Sequence, residues 1–152
     1  MAEYFLLDDF IDFQLIGVES TFENSFQFIF YLNTNFGAGF QRIKDLDILI
    51  DQQEYFFPTF HWYDVSNKLD YHIIKNRPSE PNIQNKEVDL YQLFPADFPL
   101  VTKYKSCNYI LKITGWEDEI HLLDIPFKTN EYINKLEIYD IDDISDAERL
   151  IF

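Results

Sequence analysis

The stretch Glu54–Lys75 reads EYFFPTFHWYDVSNKLDYHIIK, and it decides the fold class. Two runs rich in aromatic and β-branched residues, Glu54–Asp64 and Leu69–Lys75, flank the polar link Val65-Ser66-Asn67-Lys68. That arrangement predicts an antiparallel hairpin, with Asn67 suited to a positive φ. Side chains alternate along a strand, so Phe56, Phe60 and Trp62 share one face and Thr59, His61 and Tyr63 the other. Pro58 has no amide to donate and marks a sheet edge or a bulge. A four-residue link also sets His61 opposite His72, near enough to share a metal. Two imidazoles are too few ligands alone, and Asp70 and Thr59 are the helpers on that face. A plain cross-strand pair is the favoured reading; a metal protein or enzyme using His61 and His72 is the alternative.

Working outward, residues 10–18 carry β-branched and aromatic types and are expected to form a strand. Ser20-Thr21-Phe22-Glu23 has the form of a capping box, which predicts a long aromatic helix over about 21–36. Gly37 follows at the left-handed position that ends many helices. Phe22, Phe26, Ile29 and Phe30 fall at helical spacing and are expected to face the sheet. Phe28, Tyr31 and Leu32 widen that arc, and a helix so apolar is either well buried or covered by a partner.

Residues 40–50, 108–114 and 132–139 are read as further strands, Gly115 as a turn and 117–123 as a short helix. Ser145-Asp146-Ala147-Glu148 is a second capping box, expected to start a terminal turn. The order gives an α+β fold: a mainly antiparallel sheet of about five or six strands, the long helix, and one or two short helices. A chain of 152 residues reads as one domain, 1–152, with a proline-bearing insertion or long loop at about 77–104.

Twenty-seven Asp and Glu stand against twelve Lys and Arg, a formal net charge of −15, while 18% of residues are aromatic. Aromatics in that number supply a core, which assigns the acidity to a folded surface. Such a surface repels phosphate backbones and anionic lipid and attracts basic partners, so direct nucleic-acid and membrane binding are disfavoured. Aromatic strands can stack bases, but here they lack the basic groove that must accompany stacking. The first 41 residues hold no Lys or Arg, which argues against a secretory or transit signal. No run approaches the roughly 18 apolar residues of a membrane helix. Cys107, the single cysteine, lies beside the apolar run Tyr109-Ile110-Leu111 and reads as a buried, inert thiol of a reducing cytosol.

The chemistry-bearing patterns are sparse. Asp140-x-Asp142 opens like a calcium loop, yet Ile144, Ser145 and Ile151 stand where a ligand, a glycine and the closing glutamate are required. His121 sits among Glu117, Asp118 and Glu119 and reads as a solvated residue. Four scattered glycines write no phosphate-binding loop. No catalytic residue and no cofactor is assigned.

The chain resembles the IPExxVDY family of small Bacteroidetes proteins. The resemblance is carried by Asp12-Phe13-Gln14-Leu15-Ile16-Gly17-Val18, the aromatic segment ending near Asn35, and Arg42-Ile43-Lys44-Asp45-Leu46-Asp47. It continues through Tyr71-His72-Ile73-Ile74-Lys75-Asn76-Arg77, Ile138-Tyr139-Asp140-Ile141-Asp142 and Glu148-Arg149-Leu150-Ile151-Phe152. Phe94-Pro95-Ala96 stands near the place of the family's Ile-Pro-Glu, and Asn108-Tyr109 near that of its Asp-Tyr, at a longer spacing. The resemblance implies no activity and no catalytic residue.

These readings converge on a non-enzymatic, acidic, cytoplasmic interaction protein that binds a basic protein partner, as a subunit of a larger assembly. The expected anchors are Leu90, Tyr91, Leu93 and Phe94 in the proline-flanked segment, and Phe152. For Phe152, docking onto its own core is the stronger reading. The alternative is a mimic of nucleic acid that occupies an RNA- or DNA-handling protein. An exposed edge strand would permit a homodimer.

Overall fold

In the computed structural model, which describes residues 11–79, 98–116 and 127–152, six strands form one antiparallel sheet. They are β1 (Ile11–Ser20), β2 (Gln41–Ile50), β3 (Gln53–Asp64), β4 (Leu69–Lys75), β5 (Tyr109–Trp116) and β6 (Ile133–Ile138), in the order β2-β3-β4-β5-β1-β6. Among the described residues there is one α-helix, α1 (Ser25–Phe36), which follows β1. The α+β class expected from the sequence is the class observed. The region expected to form a short helix at 117–123 lies outside the described residues.

The β3–β4 hairpin closes through Val65–Lys68 as read, with Thr59 opposite Ile74 and Asp64 opposite Leu69. The positive φ falls on Lys68, not on Asn67. Asn67 instead donates its side-chain amide to Asp64 at 2.7 Å. Pro58 marks no edge, because β3 lies between β2 and β4. The irregularity is a bulge in the neighbour: Ile43 pairs with Thr59 and Leu46 with Phe57, so Lys44 and Asp45 together oppose Pro58. The Leu46 amide, left without a ladder acceptor there, donates to the Thr59 hydroxyl at 3.1 Å. Gly115 is no turn either; it continues β5 opposite Asp12.

The inner strands β1 and β5 are covered on both faces, so Leu15–Val18 and Tyr109–Leu111 are buried without alternation. Ile16, Val18, Leu111 and Ile113 face the α1 side, while Leu15 and Ile110 face the opposite one. The helix starts later than the capping box implies. Asn24 is its N-cap, accepting the amides of Phe26 and Gln27, and Gly37 ends it at φ 67°. Ser20 serves the loop instead, donating to Tyr132 O and accepting from Phe22 N. The buried stripe of α1 is Ser25, Phe28, Ile29 and Leu32. Phe26 and Phe30, expected on the sheet side, are 64% and 72% exposed.

The second face is covered by residues 98–107 and by the C-terminal turns at Ile141–Asp143 and Ala147–Leu150. Leu100, Val101, Tyr104 and Cys107 are all buried against the sheet. Asn76, wholly buried at the end of β4, holds them there. Its amide donates to Tyr104 O at 2.9 Å and Cys107 O at 3.0 Å, and its carbonyl accepts from Val101 N at 3.0 Å. Tyr104 donates its hydroxyl to Leu15 O and packs against Gly17, where an added Cβ would clash with the ring. The second capping box does not form. Asp146 accepts from the Thr102 amide and hydroxyl rather than capping Ala147–Leu150, and so ties the C-terminal turns to the 98–107 segment. Among the described residues, no helix is long and apolar enough to cross a membrane.

Two substitutions test this arrangement. Asn76→Leu leaves Val101 N and Cys107 O unpaired in the interior, while Tyr104 O keeps the Cys107 amide, and urea unfolding should show a loss of about 3 kcal/mol. Gly17→Ala forces Tyr104 to move and should cost about 1–3 kcal/mol by the same measurement.

Candidate functional site

Two places collect side chains that the core does not need. The first is a polar cluster on the second face. The hairpin register sets His61 opposite His72, and β4–β5 pairing sets His72 opposite Lys112. The imidazoles approach to 4.7 Å between ring centres, and His61 Nε2 lies 2.6 Å from Asp70 Oδ1. Phe152 covers the group, its ring edge-on to His72 at 5.0 Å and 3.7 Å from Lys112 Nζ. It remains 55% exposed.

Burial governs the chemistry here. Lys112 is only 3% exposed, and burial pushes its amine down to about 8, a shift that nearby Asp70 partly opposes. The same cause lowers His72 to about 4, helped by His61 and Lys112. His72 Nδ1 is buried with no hydrogen-bond partner. His72 is therefore a neutral ring at physiological pH, held among aromatic neighbours. Among the described residues, no three His, Cys, Asp or Glu side chains are grouped to hold a metal ion. The pairing of His61 with His72 that the sequence foresaw is present, and Asp70 is engaged by His61.

The second place is a groove of about 690 Å³ on the outer side of α1. Phe26 and Phe30 stand one helical turn apart on its wall, with Phe22, Tyr31 and Tyr132 beside them and Gln27, Thr34 and Asn35 as the polar lining. Three rings brace one another: Phe22 stacks on Tyr132 at 5.4 Å, and Tyr31 lies 5.5 Å from Phe22 and 5.1 Å from Tyr132. Asn130 fixes this trio. Its amide donates to Tyr31 Oη at 2.7 Å, while its carbonyl accepts the amides of Tyr132 and Ile133. Thr21 N and Ser20 Oγ both donate to Tyr132 O, joining the strand entrance to the end of β1. The floor is thus built by the fold, and Phe26 and Phe30 rise from it.

Of the residues singled out from sequence, Leu90, Tyr91, Leu93, Phe94 and His121 lie outside the described residues. Cys107 is buried, and burial, with Glu137 nearby, pushes its thiol up to about 12. Asp140, Asp142 and Asp143 belong to an exposed turn. Sequence reasoning missed the groove because it assigned Phe26 and Phe30 to the sheet. It also missed Lys112, whose charge is the one break in the apolar run of β5. Compared with known proteins, the chain matches no family model, no curated protein and no solved structure.

The His72 environment gives a pH dependence with a definite sign. Its folded value, about 4, lies below the ordinary 6.5. Between these limits the unfolded chain takes up a proton that the folded chain refuses, so stability falls as pH drops from about 6.5 to 4. His72→Leu should flatten that limb in urea unfolding measured across the range. An unchanged slope would assign the loss to another group.

Proposed function

We propose that this chain is a non-enzymatic, acidic interaction protein of the cytoplasm that docks a basic protein partner through the groove on α1. The observation that carries the reading is the exposure of Phe26 and Phe30, 64% and 72%, above a braced aromatic floor. Large rings left in water on a protein with a well-filled core mark a surface that another molecule covers. Aromatic side chains are also the residues that anchor protein interfaces. The net charge of −15 sets the sign of the partner and would speed its approach.

Tagged protein and its Phe26→Ser/Phe30→Ser variant, used to capture partners from native extract, test the reading. Unvaried protein should retain a stoichiometric basic partner through a wash at about 0.5 M salt, where charge attraction is strongly screened. The variant should lose it while melting at an unchanged temperature. A basic partner held equally by both proteins and released by salt would favour mimicry of nucleic acid instead.

A further inference from the structure

The chain's own cations show what its aromatic rings are suited to hold. Arg42 lies over Phe60 at 5.3 Å, Lys103 over Tyr139 at 4.7 Å, and Lys112 over Phe152 at 3.7 Å and Phe13 at 5.1 Å. Among the described residues, none of these contacts falls on a ring of the α1 groove. No Lys or Arg occurs in the first 41 residues, the part of the chain that supplies α1 and most of the groove. The lining carries no charged side chain, only rings, two amides and a hydroxyl. Asn35 donates its amide to Tyr31 O at 2.9 Å, which leaves its carbonyl oxygen as an acceptor.

Aromatic faces without a resident cation, neutral oxygen acceptors and a strongly negative surrounding protein define a narrow chemistry. A guanidinium is planar, weakly hydrated and rich in donors; it stacks on rings and shares its hydrogens with neutral oxygens. An ammonium is compact and strongly hydrated, and a groove without a carboxylate does little to replace its water. We infer that the α1 groove takes an arginine side chain of the basic partner, its guanidinium laid against Phe26 and Phe30 within reach of Asn35. The inference rests on the docking reading above and names the chemistry of the anchor.

Three fluorescein-labelled peptides test it on the full chain by polarisation: alternating leucine and arginine, the same with lysine, and the same with neutral citrulline. The arginine peptide should bind about fivefold more tightly than the lysine one and about tenfold more tightly than the citrulline one. Phe30→Ser, at a side chain that is largely solvent-exposed, should remove the arginine advantage without lowering the melting temperature. Equal affinity for arginine and lysine peptides overturns the guanidinium assignment, as does an arginine advantage that persists in Phe30→Ser. Either result leaves the docking reading to the partner capture, which does not depend on which cation is preferred.

Discussion

The second face of the sheet exists because of Asn76. A segment of irregular backbone can be buried only if its amides and carbonyls are paired. Residues 100–107 run across the sheet with four apolar side chains pointing into it, and one side-chain amide satisfies three of their backbone groups. Tyr104 is thereby fixed over Gly17, and its hydroxyl reaches Leu15 O. Thr102, on the same segment, presents its amide and hydroxyl to Asp146 and so secures the C-terminal turns. Those turns carry the chain toward Phe152 and the cover over Lys112 and His72. The burial that keeps His72 neutral thus traces back, contact by contact, to Asn76.

Strands were legible wherever alternation or an unbroken apolar run had a physical cause. The β3–β4 hairpin was readable in its pairing and its link because the link is short and the flanks are strongly β-forming, while the positive φ at Lys68 was not. The β2–β3 turn was not. Asp51 and Gln52 both take positive φ without a glycine to announce it. The phase of α1 was illegible for a different reason. Phe26, Phe28, Ile29, Phe30, Tyr31 and Leu32 spread apolar side chains around most of the helix, so hydropathy fits more than one inward stripe. Only the sheet's surface selects Phe28, Ile29 and Leu32. The groove followed from that selection, and it was hidden for as long as the selection was unknown. Asn76 was equally silent, since a buried pinning amide looks like a loop residue until its partners are known.

The two faces divide the work. On the second face Lys112 is buried between the rings of Phe13 and Phe152, and on the helix face Arg42 lies over Phe60. The rings that line the α1 groove have no such companion among the described residues. With twelve basic residues in all, the chain has few charges to give its aromatic surface.

Pro58 has a consequence for how the molecule breathes. On one side of it β2 bulges; on the other, pairing with β4 begins only at Thr59. Beyond that point Leu46–Ile50 and Gln53–Phe57 form a two-stranded ribbon, held to the body by Phe57 beneath it, by Phe98 against Tyr55, and by the Ser79 amide on Phe56 O. Amide protons of that ribbon can exchange with solvent through a local opening that leaves the central ladder closed. The proline acts as a seam: it divides one continuous hairpin into a part laddered on both sides and a part laddered only within itself.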